Sequence, residues 1–82
     1  MRVLILKDRE KIYEEEAYMA VLPGCDGEFS VMDFHQPFLY RLQKGIVKIQ
    51  EDEKADTVMF SVKDGLARFT GNSLLVLCEN GG

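Results

Sequence analysis

Short apolar runs alternate with polar and turn-forming segments along almost the whole chain. The runs are rich in β-branched and aromatic residues and recur about every 8–12 residues, which is the spacing of successive short strands. They cover residues 3–6, 12–13, 18–22, 29–32, 38–42, 46–49, 58–62, 66–69 and 74–78. This pattern predicts an all-β domain, a small two-sheet β-sandwich of about nine to ten short, mostly antiparallel strands.

Turn-forming residues separate the runs and support these divisions. Pro23-Gly24 and Asp26-Gly27 interrupt the first half of the chain. Lys63-Asp64-Gly65 and Thr70-Gly71-Asn72 each lie between two strand-like runs and have the length of a hairpin turn. The charged stretch 51–56 predicts a longer, solvated hairpin loop whose charges oppose edge-to-edge aggregation.

Two segments have a helical alternative. Residues 8–19 have high helix propensity, and Asp8 is a plausible N-cap. The apolar run that follows has no C-cap glycine, so we expect a strand, a turn and a second strand instead. In residues 37–44, Pro37 and Gly45 fit the first and last positions of a short helical turn, which would leave the fold class unchanged.

Length and charge exclude several classes of protein. The chain of 82 residues is long enough for one small domain. Its net charge of −4 lacks the basic excess of a duplex-binding protein, so we expect no nucleic-acid partner. No apolar run approaches the roughly 18 residues that span a bilayer, and no signal-peptide pattern is visible. The two cysteines, Cys25 and Cys78, are far apart and are expected to be reduced thiols in a cytosolic setting.

Candidate catalytic and metal-binding residues do not form a recognisable set. The single histidine, His35, is near Cys25, Asp26 and Asp33, but these have no metal-ligand spacing. No serine has the glycine-flanked elbow of a hydrolase, and the glycines are scattered without a phosphate-binding spacing. We therefore expect a non-catalytic protein with no metal and no cofactor.

The segment from Phe29 to Tyr40 is unusually rich in large apolar residues. A domain of this size has little room in its core for all of them, so an exposed aromatic patch is one interpretation and core packing the other. The residues concerned are Phe29, Met32, Phe34, Phe38 and Tyr40. The acidic clusters at 14–16 and 51–53 are typical of solvated loops, with calcium or a basic partner as the alternative.

The order of motifs resembles the N-terminal β-sandwich of the ATP synthase epsilon subunit, which is called delta in mitochondria. The similar stretches are residues 22–31 (LPGCDGEFSV), His35 to Leu42, Gly45 to Ile49, 60–69 (FSVKDGLARF) and 72–79 (NSLLVLCE). The resemblance covers nearly the whole chain in order. The departures are Asp33-Phe34 where the family has Pro-Gly, Gln36 where it has Ala, and Asp64 where it has Gly.

The resemblance implies a non-catalytic rotor subunit in the central stalk of a proton-translocating ATP synthase. It implies the gamma subunit and the c-ring as partners, and a peripheral position on the cytoplasmic face of the bacterial inner membrane through that complex alone. It also places Glu28, Phe34, His35 and Phe38 at a c-ring-facing end. Residues 1–80 are expected to form a single domain and 81–82 a flexible tail, without the C-terminal helical hairpin of longer members, its inhibitory arm or a bound nucleotide.

A second resemblance, to lipoyl carrier domains, is the alternative. In that family the lipoylated lysine follows an acidic pair in an exposed hairpin, and residues 51–55 here read Glu-Asp-Glu-Lys-Ala. An exposed hairpin lysine allows a tethered acyl group to swing between sites. This alternative makes Lys54 the modified residue.

Overall fold

Nine β-strands account for most of the residues that the structure, a computed structural model, describes, namely 1–54 and 56–79. No helix occurs within these ranges, and the predicted tail at 81–82 lies outside them. The strands are β1 (Arg2–Lys7), β2 (Glu10–Glu16), β3 (Met19–Gly24), β4 (Gly27–Met32), β5 (Phe38–Leu42), β6 (Gly45–Gln50), β7 (Thr57–Val62), β8 (Gly65–Thr70) and β9 (Ser73–Cys78). The predicted all-β class is confirmed.

The strands form one continuous, curled sheet. Their order is β2-β1-β9-β8-β5-β3-β6-β7, and β4 pairs with β3 in addition. Strands β1 and β9 run parallel, and all other pairs of described strands are antiparallel. The predicted mostly antiparallel arrangement is therefore confirmed.

The two halves of the sheet are connected where β3 meets β5, and the pairing between these strands is short. Strands β3 and β5 share a single register pair, Gly24 with Leu42. On one side of it lie β2, β1, β9, β8 and β5, and on the other β4, β3, β6 and β7. The two halves face each other, as in a β-sandwich.

Alternate residues of the strands point between the two halves and form one hydrophobic core. In the first half, Ile5, Phe69 and Val76 are 0–2% exposed. In the second half, Leu22 and Ile49 are fully buried. All five belong to one cluster. The apolar residues that alternate with polar ones along the strands are therefore the residues that are buried. Burying each such side chain contributes about 1.5–3 kcal/mol to folding.

Two tight turns have the geometry that favours hairpins. Asp8 and Arg9 both have positive φ (51° and 70°), as do Gly71 and Asn72 (57° and 56°), which is the type I′ pattern. After the first turn, β2 is followed by a break at residues 17–18 and then by β3, so the expected strand, turn and second strand are confirmed and no helix forms there. The segment 37–44 contains β5, so its helical alternative is wrong.

The expected hairpin at Lys63-Asp64-Gly65 is wrong. Strand β7 pairs with β6, whereas β8 pairs with β5 and β9, so this segment connects the two halves of the sheet. The hairpin loop predicted at 51–56 does join two paired strands, β6 and β7.

Pro23 and Gly24 lie within β3, and the following turn consists of Cys25 and Asp26. The carbonyl of Pro23 accepts a 2.9 Å hydrogen bond from the Gln43 amide. The Pro23 nitrogen points to the same side of β3 as its carbonyl. On that side β3 pairs with β6, and the last residue of β3 in that pairing is Val21. Proline is tolerated in β3 because no ladder hydrogen bond is lost.

Candidate partner-binding surface

The structure brings Phe34, His35 and Phe38 together around the loop 33–37, which connects β4 to β5. Phe38 is the first residue of β5 and pairs with Phe69 of β8, so the end of the loop is fixed by the sheet. The rings of Phe38 and Phe69 are stacked with centroids 5.9 Å apart. The His35 ring meets the Phe38 ring edge-on at 5.3 Å.

Hydrogen bonds at its start hold this loop. The Asp33 carboxylate accepts a hydrogen bond from the Met1 ammonium group. That hydrogen bond is the main reason that the pKa of Asp33 lies below its usual value. The Phe34 amide donates to Oδ1 of Asn72 at 2.8 Å, and the His35 amide donates to the Met32 carbonyl at 3.2 Å. The loop is therefore anchored to the chain start and to the β8–β9 turn.

Phe34 is the most exposed large apolar side chain among the described residues, at 84%. Its φ is +62°, a left-handed backbone that residues with a Cβ rarely adopt. Phe34 thus projects from the loop into solvent.

His35 is exposed at the surface of the loop. Its Nδ1 lies 2.8 Å from the carbonyl oxygen of Gln36, so Nδ1 carries the proton and donates. Among residues 1–54 and 56–79, no three His, Cys, Asp or Glu side chains converge as a metal site would require. Stacking and hydrogen bonding are what His35 offers a partner.

The five large apolar residues of the segment from Phe29 to Tyr40 divide between core and surface. Phe29 and Phe38 pack against the core, with their rings edge-on at 5.5 Å. Met32 and Tyr40 are about half exposed, at 44% and 51%, and Phe34 is almost fully exposed. Each of the two interpretations of the sequence therefore holds for part of the set.

Glu28 lies apart from Phe34 and His35, whereas the ring of Phe38 contacts that of Phe29, the next residue after Glu28. It is the second residue of β4, whereas Phe34 and His35 follow the far end of that strand. Met32 is four positions after Glu28 in this strand, which corresponds to a distance of about 13 Å between them. Its carboxylate lies 3.9 Å from Nζ of Lys48, and because both side chains are largely exposed this ion pair is weak.

A recess of about 300 Å³ lies beside Glu28 and is lined by Gly24, Cys25, Phe29 and Tyr40 among others. A larger depression of about 600 Å³ is bordered by Arg9 and by the Arg41–Asp64 ion pair, whose N–O distance is 3.1 Å.

Sequence reasoning missed the residues that hold the loop. Asn72 is 38 positions from Phe34, and Met1 is 32 positions from Asp33. The only local signal was the turn chemistry of Gly71-Asn72, which predicts a hairpin but not which loop that hairpin meets.

Lys54 lies in the loop between β6 and β7 and is exposed. Its backbone amide donates a 2.8 Å hydrogen bond to Oδ1 of Asp52. In the part of the chain that the structure describes, there is no helix long and apolar enough to cross a membrane.

Solved structures with a similar fold come from mitochondrial ATP synthases. A chain in the central stalk/c-ring structure from Tetrahymena thermophila superimposes with a TM-score of 0.80 at 15% identity, covering 98% of this chain and 63% of that one. A chain of the Euglena gracilis OSCP/F1/c-ring structure superimposes with a TM-score of 0.85 at 17% identity, and the match covers 93% of this chain and 48% of that one. At such identities the likeness establishes the fold alone.

Comparison of sequences identifies the family. The ATP synthase epsilon chain of Rickettsia bellii is 29% identical over 80 residues, which is 96% of this chain and 74% of that protein. That of Pelotomaculum thermopropionicum is 32% identical over 78 residues, 95% and 57% respectively. The chain spans between about half and three quarters of these longer relatives. The profile of the family described as "ATP synthase, Delta/Epsilon chain, beta-sandwich domain" matches residues 1–81, and this chain belongs to that family.

Proposed function

We propose that this protein is a non-catalytic subunit of the central stalk of a proton-translocating F-type ATP synthase. In that role it couples rotation of the c-ring to the gamma subunit during ATP synthesis. The observation that carries the proposal is the family match over residues 1–81. The lipoyl carrier alternative is not supported, because the matched family and the similar structures are those of ATP synthases.

The fold suits a part that transmits rotation. Two sheet halves that interlock through one close-packed core resist deformation, because interiors of this density have low compressibility. Buried side chains from both halves, such as Leu22 and Val76, belong to that single core. A rigid body with two outer faces can bind gamma on one side and the ring on another.

We assign the ring contact to two separate points. The aromatic loop with Phe34, His35 and Phe38 supplies an apolar contact of the kind that dominates binding energy. Glu28, near the opposite end of β4 from the start of this loop, supplies a charge for basic or amide groups on the ring loops. Two points along one strand would resist rotation of the domain on the ring better than one.

The proposed place in the cell follows from the assembly. The protein is held at the cytoplasmic face of a bacterial inner membrane as a peripheral component, through gamma and the c-ring alone. No cofactor is required, since the ATP chemistry belongs to other subunits of the complex.

Co-purification tests the proposal. The tagged protein is expected to retain gamma and the c-ring from solubilised membranes of its source. Absence of binding to purified gamma at micromolar concentration would refute the rotor assignment. Intact mass after expression in a lipoylating host tests the alternative, and an unmodified mass is expected because Lys54 is not a lipoyl acceptor.

A further inference from the structure

Phe34 combines two features that do not stabilise the folded domain. Its backbone is left-handed, with φ at +62°, and its ring is 84% exposed. Within the described part of the chain, the other non-glycine residues with positive φ are Asp8, Arg9 and Asn72, polar residues in two-residue turns where this conformation is the usual one. A large apolar residue in the same conformation is disfavoured, and its exposed ring gains little from burial.

Asn72 supports this backbone directly. Its Oδ1 accepts the 2.8 Å hydrogen bond from the Phe34 amide. The carbonyl of Asn72 in turn accepts a 3.1 Å hydrogen bond from the Arg2 amide. Asn72 thus connects the loop to the β8–β9 turn and to the start of β1.

We infer that Phe34 is a preformed aromatic anchor for an apolar recess between the polar loops of the c-ring, and that Asn72 is its positioning residue. The inference rests on the proposed rotor function and adds which side chain carries the contact and what holds it. Because the Phe34 backbone is already held by Asn72, its ordering costs little further backbone entropy on association. Aromatic side chains that enter a desolvated pocket are the usual centres of binding energy.

The experiment measures affinity for the whole complex. Synthase-containing membranes of the source organism, stripped of this subunit, are titrated with the purified protein. Phe34→Ala is expected to weaken binding at least tenfold, and Asn72→Gly by several-fold, because Gly keeps the left-handed turn but removes the side-chain acceptor. Met59→Ala is the matched control, since Met59 is 64% exposed on β7 and is expected to leave affinity unchanged.

A double-mutant cycle separates positioning from a general structural role. If Asn72 acts through Phe34, Asn72→Gly costs affinity in the wild-type background and nothing further in the Phe34→Ala background. Equal losses in both backgrounds would overturn the positioning role. Affinity of Phe34→Ala within twofold of wild type would overturn the anchor while leaving the rotor assignment intact. Failure of the wild-type protein to bind would overturn both.

Phe34→Gly provides an independent signature. Gly relieves the left-handed strain, so this variant is expected to unfold at higher urea concentration than Phe34→Ala yet to bind as weakly. Wild-type affinity in Phe34→Gly would contradict the inference, because no ring would then be needed.

Discussion

The hydroxyl of Tyr13 donates a 2.5 Å hydrogen bond to Oε2 of Glu51 and so joins the two ends of the curled sheet. Tyr13 lies on β2, the first strand of the sheet order, and Glu51 follows β6, which pairs with the last strand, β7. The Tyr13 ring also meets Phe60 of β7 edge-on at 5.2 Å, and Lys7 Nζ donates to the Ser61 carbonyl at 3.1 Å. Side chains rather than a backbone ladder therefore close this side of the domain.

Tyr13→Phe is expected to lower the free energy of unfolding by about 0.5–1.5 kcal/mol at pH 7, because one hydrogen bond is lost. Burial, and then the Glu51 carboxylate, raise the pKa of Tyr13 above its usual value of 10.0. A group whose pKa is higher in the folded state than in the unfolded state contributes its full stabilisation at pH values below the unfolded-state pKa. This stabilisation is lost as the pH rises through the folded-state pKa. Wild type should therefore lose stability above about pH 10 more steeply than Tyr13→Phe.

Urea unfolding of both proteins from pH 7 to 11 checks this prediction. Tyr18 and Tyr40 are present in both and cancel in the comparison. Parallel alkaline profiles would show that the Tyr13 hydroxyl titrates equally in the folded and unfolded states.

The two thiols are expected to differ sharply in reactivity. Cys25 is exposed in the β3–β4 turn, whereas Cys78 is buried, and burial raises the pKa of its thiol. Because the thiolate is the reactive form, a thiol reagent should label Cys25 in the folded protein and Cys78 only after denaturation. Cys25→Ser should abolish labelling of the folded protein, and rapid labelling of that variant would contradict the burial of Cys78.

Gly65→Ala is expected to destabilise the domain by about 1–3 kcal/mol, as overpacking does. A Cβ at this position would collide with the Leu77 backbone carbonyl on the neighbouring strand β9, which cannot move without disturbing the ladder. Gly71→Asn is the matched control, because Gly71 has open space and a φ of +57° that Asn tolerates. Thermal unfolding compares the two, and equal midpoints would contradict the prediction.

Glu28→Lys is expected to weaken attachment to the c-ring while changing the free energy of unfolding by less than about 1 kcal/mol, since its pair with Lys48 is exposed. Glu53→Lys, an equal change of charge in the exposed β6–β7 loop, is the control. Sedimentation with stripped membranes measures attachment, and the loss should shrink at high salt. Unchanged attachment of Glu28→Lys would remove Glu28 from the proposed contact.

The strands were predictable because period-2 burial is a local property of sequence. Local turn signals were less informative: Lys63-Asp64-Gly65 has the length of a hairpin, yet β8 pairs with β5 and β9 instead of β7. Which strands pair depends on how distant apolar faces fit, and no short segment encodes that.

In the candidate surface, too, contacts between residues near in sequence were predictable and contacts between distant residues were not. Phe34, His35 and Phe38 are neighbours in sequence and remain neighbours in space. The predicted grouping with Glu28 ignored the length of β4, because Glu28 is near the start of that strand and His35 lies in the loop after its end. Asn72 was missed because its contact with Phe34 spans 38 positions.

The single pair of Gly24 with Leu42 has a mechanical consequence. Two backbone hydrogen bonds flank this pair, from the Gln43 amide to the Pro23 carbonyl and from the Cys25 amide to the Arg41 carbonyl. A shearing load between the sheet halves therefore falls largely on core side chains such as Leu42 and Val76. Leu42→Ala would then cost the domain torsional stiffness as well as about 2–5 kcal/mol of stability. Elasticity of the stalk at this point is a property of side-chain packing, and a single core substitution can change it.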